Sequence, residues 1–476
     1  MFRYFLYRLF IAIPTLIAVS LIAFGLSKIA PGDPVLRSLV SDDMGGFEGV
    51  SGRTRFEKEY TAIAKNLNLD KPNFYISLQP APYPDTLHRI VFYERRQTLK
   101  KLLDQHGDWP LVSTYYHGIK TVETALLQLP SSVDKNVSIN LRRHIRQLRL
   151  QYKTPKISDL LSKMQQQAEK DSLANIQLIP PIRALITHFQ SLQSQSKPHR
   201  LYWPSIRWNG LDNQYHLWWT SFILGDFGKS FVDGRPVMTK IWEAAYWTIL
   251  LNLISITLAY LIAVPIGIRA AIGRGKWFDR VSSFLLFSLY SLPTFWIATL
   301  LVVFFTTPEY GRWTDIFPSI GLGSLPQSAP FWDRFWESAS HLILPIICLT
   351  YRSLAFIARQ MRGSLLEVIQ QDYIRTARAK GLGEKIVILR HALRNALFPL
   401  ITLFALVFPS MIGGAIIVEI IFNIPGMGLL TFNAIVTQDW PIVFTIVMLF
   451  AILTIIGNLA ADFLFAAADP RVKLDR

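Results

Sequence analysis

Residues 244–268 read AAYWTILLNLISITLAYLIAVPIGI, an uncharged run bounded by Glu243 and Arg269. At ~1.5 Å per helical residue it crosses the ~30 Å hydrocarbon core of a bilayer, so it reads as a membrane-spanning helix. The same scan finds Leu9 to Ser27, Val281 to Pro308, Asn395 to Val418 and Trp440 to Ala461. A sixth candidate, Ser338 to Met361, is interrupted by Arg352 and Arg359 and rests on the apolar runs either side and on topology. The expected fold class is an all-α polytopic membrane protein with six transmembrane helices and a helical extracytoplasmic insert between the first two.

Composition agrees. Of 476 residues 51% are hydrophobic and 17% charged, with a net charge of +16 and a mean hydropathy of +0.29. That is too apolar for a disordered chain and too poor in charge for an ordinary soluble one. A lone cysteine, Cys348, excludes an intramolecular disulfide framework and a thiolate metal cluster. The first span follows Arg3 and Arg8 as a signal peptide would. Its apolar core is longer than a usual signal core, and Pro31-Gly32-Asp33-Pro34 is no clear cleavage site, so it is read as an uncleaved anchor.

Orientation follows from the loops. Arg269, Arg274, Lys276 and Arg280 face Asp279 alone between the second and third spans, and eight Lys/Arg face three acids from Arg359 to Asn395. The loop Thr307 to Glu337 has two basic residues against four acids, and Glu419 to Asp439 has no Lys or Arg. The positive-inside rule then puts both termini and the two basic loops in the cytoplasm. The expected division is an N-terminal helix over 1–30, an extracytoplasmic region over 31–240 with an insert domain at about 79–214, and a five-helix core over 241–476.

From Gln79 to Gln214 there are 19 Lys/Arg and 10 Asp/Glu, a net +9 (19 − 10). Pro110, Pro130, Pro155, Pro180 and Pro198 punctuate segments of helical period, which predicts a small helical domain. Arg142, Arg143, Arg146 and Arg149 form a basic run, read as a solvated face or a contact with anionic membrane lipid. An external location argues against nucleic acid as a partner. Asn136-Val137-Ser138 matches a glycosylation sequon, a weak signal. Gly225-Asp226-Phe227-Gly228-Lys229-Ser230 resembles the end of a phosphate-binding loop, but Ile223 stands where its first glycine belongs, so ATP is not expected here. No catalytic residue, metal site or cofactor is expected on this chain.

The segment from Gly363 to Pro399 carries the most functional information. Leu365, Leu366, Val368, Ile369, Tyr373 and Ile374 continue a helix out of the membrane, and Thr376, Ala377 and Ala379 give it a small-residue surface. Gly381-Leu382-Gly383 permits a sharp reversal, and a second helix, Glu384 to Arg394, leads back to the membrane. Small side chains admit a partner's backbone closely, while Arg375, Arg378 and Lys380 suit acidic groups around a receiving groove. A basic amphipathic helix lying on lipid has the same residue types, and these alone do not separate the two readings.

Asp372-Tyr373-Ile374-Arg375-Thr376-Ala377-Arg378-Ala379-Lys380-Gly381-Leu382, followed by His391-Ala392-Leu393-Arg394-Asn395-Ala396-Leu397 and Pro399, resembles the coupling loop of ABC importer permeases of the dipeptide, oligopeptide and nickel family. Ala30 to Pro34, Leu69-Asp70-Lys71-Pro72, Leu224 to Ser230, Ser291 to Trp296, Pro425-Gly426-Met427-Gly428 and Asp469-Pro470-Arg471 agree in order. Arg375-Thr376-Ala377 replaces the Glu-Ala-Ala of the broader importer loop, and Leu393-Arg394 its Leu-Pro; both changes resemble the peptide branch. Nothing recognised matches the insert.

The resemblance implies a non-catalytic permease subunit in the bacterial inner membrane, its insert periplasmic. It implies a second homologous permease, two ATPase subunits that hold the ATP and Mg, and an extracytoplasmic solute-binding protein. The cargo would be peptides or similar small solutes. Coupling falls to Asp372, Tyr373, Arg375, Thr376, Ala377, Arg378, Ala379, Lys380, Gly381, His391, Arg394 and Asn395. Pathway or gate candidates are Pro293, Phe295, Arg352, Gly413 and Gly414, with packing as the plainer reading of the proline and glycines. Arg352 lies near mid-membrane, where a lone arginine costs about 2.5–3.5 kcal/mol, so it is expected to face protein or water: a pathway wall that attracts a cargo carboxylate is the functional reading, and a pair with another subunit or snorkelling the plainer one. Competing classes are an ATP-independent channel or secondary transporter, and a membrane receptor that uses the insert.

Overall fold

The computed structural model describes every residue except Met1 and residues 31–34, 36–49, 91, 131, 309–310, 312–313, 315, 319, 327, 401–412 and 469–476. Pro31 to Pro34, Asp469-Pro470-Arg471 and most of the expected fifth span therefore lie outside the described residues. The chain divides into two compact units, Val35–Leu224 and the combination of Met1–Pro34 with Gly225–Arg476.

In the second of these, long apolar runs form long helices: α1 (Phe2–Ile29), preceding the first unit in the chain, then α9 (Val237–Ile272), α10 (Trp277–Ser291), α11 (Thr294–Phe305) and α12 (Phe331–Ile369). After α13 (Asp372–Ala379) come α14 (Ile416–Ile421), α15 (Met427–Thr437) and α16 (Trp440–Ala468). Four of these helices, α1, α9, α12 and α16, are long and apolar enough to cross a membrane, and a fifth span is present if α10 and α11 count as one.

Two sequence expectations change here. Arg352 and Arg359 do not interrupt α12, because both stand on its exposed face while Tyr351, Ala355, Ile357, Ala358 and Met361 bury the other. The third span, read as one helix from Val281 to Pro308, is two helices. It breaks by 94° between α10 and α11. Pro293 cannot donate a backbone hydrogen bond, and the carbonyl of Leu292 left at the break accepts the Tyr351 hydroxyl at 3.1 Å.

The framework is the pairing of α9 with α12. Ala259, Ala263 and Ala271 on α9 meet Ile357, Ala358, Met361 and Leu365 in one core. A Cβ at Gly267 would stand 2.7 Å from the Ala358 carbonyl oxygen, so the helices approach as closely as small residues allow. The near end of α9 packs on the last two helices, with Val237, Ile241 and Ala244 against Met427, Ala434 and Ile442. α1 lies against α16, where Arg8 pairs with Asp462 at 3.0 Å.

In the unit Val35–Leu224, α2 (Val50–Asn66) precedes strand β1 (Ile76–Pro80), and five helices follow: α3 (Tyr93–His106), α4 (Trp109–Leu127), α5 (Lys135–Leu148), α6 (Thr154–Ala168) and α7 (Ser172–Ser194). Strand β2 (Pro204–Trp208) and α8 (Gln214–Ile223) complete it. The amphipathic periods foreseen in the sequence close on one core that includes Leu99, Leu103, Tyr115, Leu141, Met164 and Leu185. Asp108, Asp134 and Asp171 cap α4, α5 and α7 through backbone N–H groups. Pro180 is no boundary: it lies with Pro181 inside α7, held by the burial of Leu178, Ile179 and Ile182. Arg142, Arg143 and Arg146 are exposed on α5, and Arg149 pairs with Glu123 at 3.0 Å.

The helical expectation for this unit missed one element. β1 and β2 pair antiparallel from Ile76↔Trp208 to Pro80↔Pro204, at the two points where the chain enters and leaves the helical bundle. Ile76, Leu78, Ile206 and Trp208 face one another across this ribbon and are all exposed.

Candidate functional site

The basic hairpin grows out of α12. That helix stops at Ile369, and α13 restarts at Asp372 with a strongly amphipathic face: Ile374 is fully buried while Arg375, Thr376, Ala379 and Lys380 are exposed. Gly381 takes a left-handed φ of +78°, with open space where a Cβ would stand. It therefore supplies a reversal and no packing. The return is a helical turn at Glu384–Ile386, a π-helical turn at Val387–Ala392 and a helical turn at Leu393–Ala396. Val387, Ala392 and Ala396 join Ile374 in the same core as Met361 and Leu365, so the hairpin is packed onto the end of α12.

Within the hairpin two side-chain ties are specific. The Arg378 guanidinium donates to both oxygens of Glu384, at 3.1 and 2.7 Å. That holds the Glu384 carboxyl below the usual range, although the pair is exposed and contributes at most ~1 kcal/mol. Asn395 donates to the Tyr373 hydroxyl at 2.6 Å and joins the outgoing and returning arms.

These contacts revise the sequence reading of single residues. Arg378 is spent inside the hairpin, so Arg375, Lys380, Lys385, Arg390 and Arg394 are the exposed cations it presents, Arg375 within 3.5 Å of Asp372. Ala377 is half-buried and packs against the core, whereas Thr376 and Ala379 face outward. Asp372 and Arg394 are exposed and His391 is half-buried. Tyr373, a coupling candidate, is exposed with Leu382 of the reversal, and the sequence reading passed over two more exposed apolar groups, Ile386 and Leu389, which interleave with the cations. Their signal is apolar residues that miss the helical period of the buried face.

The pathway candidates do not line one cavity. Pro293 and Phe295 are exposed at the break between α10 and α11, and Arg352 is exposed on α12. Gly413 faces the Phe450 ring, 2.7 Å from where its Cβ would be. Gly414 does more than permit close packing: its φ is +81°, and it turns the chain so that Ala415 to Leu429 wraps a buried carboxylate.

That carboxylate is Glu419, an acid near a span end that hydration would ordinarily account for, yet it is only 1% exposed. Its Oε1 accepts from Thr248 Oγ1 and the Ala415 N–H, both at 3.0 Å, and Oε2 accepts from the Leu429 N–H at 2.9 Å. Thr248 in turn accepts from the Met427 N–H at 2.8 Å. Cβ atoms on Gly414, Gly426 or Gly428 would come within 2.9 Å of a Glu419 atom, the reason that Pro425-Gly426-Met427-Gly428 carries two glycines.

A second tie sits at the basic loop between α9 and α10. Arg362 on α12 donates through Nε and Nη2 to the two oxygens of Asp279, at 2.6 and 2.9 Å, and the Gly275 N–H adds a bond at 2.9 Å. Those donors hold the Asp279 carboxyl down at about 2.

Gly225 to Ser230 is a structural turn. The Ser230 hydroxyl donates to Asp439 and the Phe231 N–H donates to the same carboxylate at 2.9 Å. Asp439 is 1% exposed, and burial raises its pKa. Among the described residues no cluster of three His, Cys, Asp or Glu is placed to hold a metal ion.

The family model for binding-protein-dependent transport system inner membrane components matches residues 263–474. The chain is 38% identical over 270 residues to the dipeptide transport system permease protein DppB of Alkalihalophilus pseudofirmus, covering 55% of this chain and 81% of that protein. It is 39% identical over 261 residues to the oligopeptide transport system permease protein AppB of Bacillus subtilis, covering 55% and 80%. It is 36% identical over 268 residues to the glutathione transport system permease protein GsiC of Escherichia coli K12, covering 56% and 81%. With its apolar helices and this extent of likeness, the chain belongs to the binding-protein-dependent inner-membrane components, the multi-pass and non-catalytic permease subunits of ABC importers.

Proposed function

We propose that this permease forms part of the pathway for peptides or similar small solutes, and that the hairpin 372–395 couples it to separate ATPase subunits. The observation that carries the reading is the hairpin's construction. Its inner face is fused to the core at the end of α12 through Ile374, Val387 and Ala392, while its outer face mixes Arg375 and Lys380 with Tyr373, Leu382 and Ile386. A piece fixed to a long helix and exposing an apolar-basic surface suits a lever gripped by another protein. The relatives' printed names supply the peptide class of cargo.

In this reading six spans cross the inner membrane, the fifth being the sequence stretch Asn395 to Val418, most of which lies outside the described residues, and both termini are cytoplasmic. A second homologous permease, two ATPases holding ATP and Mg, and an external solute-binding protein complete the transporter. Arg352 faces the water-filled path and attracts a carboxylate of the cargo, since the exposed face of α12 at that depth is untenable against lipid. Pro293, Phe295 and the Gly413-Gly414 turn stand where helices break, as a gate requires.

The test is Gly381→Pro. Proline cannot adopt a φ of +78°, so the reversal is lost. Uptake and solute-stimulated ATP hydrolysis should fall at least ~tenfold while membrane insertion persists; unchanged ATPase assembly and hydrolysis would refute the lever. Thr376→Trp is a second test at an exposed position, because bulky replacement of the half-buried Ala377 disturbs the permease's own core.

The insert is read as a periplasmic docking surface for the solute-binding protein, supported by the exposed apolar ribbon face of Ile76, Leu78, Ile206 and Trp208. The ribbon also sets how to remove the bundle. Pro80 and Pro204 are its last pair, so deleting 81–203 and closing with a two-residue turn spares it, whereas a cut from Gln79 to Gln214 severs it. We expect Leu78→Asp with Ile206→Asp, a cross-strand pair on the exposed ribbon face, to insert normally and to lose affinity for the binding protein in a pull-down, and the 81–203 deletion, which keeps the ribbon, to retain it. Undiminished affinity in the double variant would exclude docking by the ribbon.

A further inference from the structure

A cavity of about 530 Å³ lies between α9, α10 and α12, outside every group assigned above except the Asp279–Arg362 tie at its edge. Its walls are apolar and aromatic, with Leu286, Phe287, Tyr290 and Phe356, and Ser283 and Gln360 add polar atoms. No carboxylate lines it. Two arginines do, and they differ. Arg362 is neutralised by its bidentate bonds to Asp279, whereas Arg359 is exposed and makes no hydrogen bond or ion pair among the described residues.

An unneutralised guanidinium above an aromatic trough is matched by an amphiphile that carries an oxyanion on an acyl chain. We propose that this cavity is a binding site for one anionic phospholipid of the cytoplasmic leaflet. Arg359 holds the phosphate, Gln360 adds a hydrogen bond, and an acyl chain lies along Phe287, Tyr290 and Phe356. The leaflet assignment rests on the topology proposed above. It follows from the sequence neighbourhood: Gly267 and Ala270 in the wall flank Arg269, and the loop to α10 adds Arg274, Lys276 and Arg280, a basic rim of the kind that gathers anionic headgroups. Because α12 leads directly into the hairpin, a lipid wedged there bears on the lever, and transport should depend on anionic lipid.

The test uses the assembled transporter carrying this chain, extracted in mild detergent. Native mass spectrometry should show phosphatidylglycerol retained. Arg359→Gln should lower its occupancy roughly fivefold, the effect of one arginine at a lipid surface, while Arg359→Lys restores most of it. Lys385→Gln removes an exposed charge away from the cavity and its rim and should leave occupancy unchanged. Equal losses in Arg359→Gln and Lys385→Gln, or none in either, would overturn the site. In vesicles of phosphatidylcholine with phosphatidylglycerol, solute-stimulated ATPase activity should exceed that in phosphatidylcholine alone, and Arg359→Gln should abolish the difference. If Arg359→Gln instead cuts uptake equally in both vesicles, the oxyanion belongs to the cargo and the lipid proposal fails. Labelling of Arg274→Cys from the outer face would overturn the topology and with it the leaflet, and is read separately from lipid occupancy.

Discussion

Replacing Glu419 with alanine is expected to abolish uptake and to destabilise the folded permease by about 3 kcal/mol, the order of cost of leaving several inward-facing hydrogen-bond donors without an acceptor. The carboxylate accepts from the Thr248 hydroxyl and from the N–H groups of Ala415 and Leu429. Alanine leaves all three donors without this acceptor, the Thr248 hydroxyl in a fully buried place. Thr248 sits on α9, so the loss also unties the segment 415–429 from that helix. Gly426→Ala should act in the same direction, because its Cβ would stand 2.5 Å from the carboxyl carbon of Glu419. The check is the thermal unfolding midpoint of the purified transporter, followed by fluorescence-detected gel filtration, beside uptake in vesicles. Wild-type midpoint and uptake in Glu419→Ala would show that the knot is not needed.

Asp279→Asn should loosen α10 from α12 and cost about 2 kcal/mol, from a carboxyl held at about 2 against an ordinary 3.8. Arg362 is partly exposed and regains water when its partner is neutral, so the loss is smaller than at Glu419. The sign with pH is fixed. A carboxylate whose pKa is depressed in the folded protein stabilises fully above its ordinary value, and that stabilisation is lost as pH falls from near 4 to about 2. The wild-type midpoint should therefore fall more steeply than that of Asp279→Asn on acidification through this window. Parallel curves would mean the tie carries no weight.

Both positions show what a reading of residues misses. Glu419 was legible as an acid near a span end, and Asp279 as one acid among four cations of a loop. Neither spacing reveals that Thr248, 171 positions away, or Arg362, 83 positions away, closes on it. Ala377 failed for a nearer reason: small residues at 376, 377 and 379 look alike in sequence, and a helix turns one of them inward. The ribbon was missed because five-residue strands with prolines at one end carry little periodic signal and form only when the bundle brings their ends together.

By itself the sequence determined that this chain lives in a membrane, where its long helices run, which loops are basic and where a reversal must occur at Gly381. Those are consequences of local hydrophobic length, charge and backbone freedom, properties that a stretch of residues carries wherever it sits. The tertiary structure alone decided that α10 and α11 break by 94° at Pro293, that Arg378 is consumed by Glu384, that Glu419 is buried and tied, and that Arg359 is left facing a cavity. A polar group's role depends on which distant donors and acceptors reach it once the helices pack, and that pairing is a property of the packing rather than of the residue.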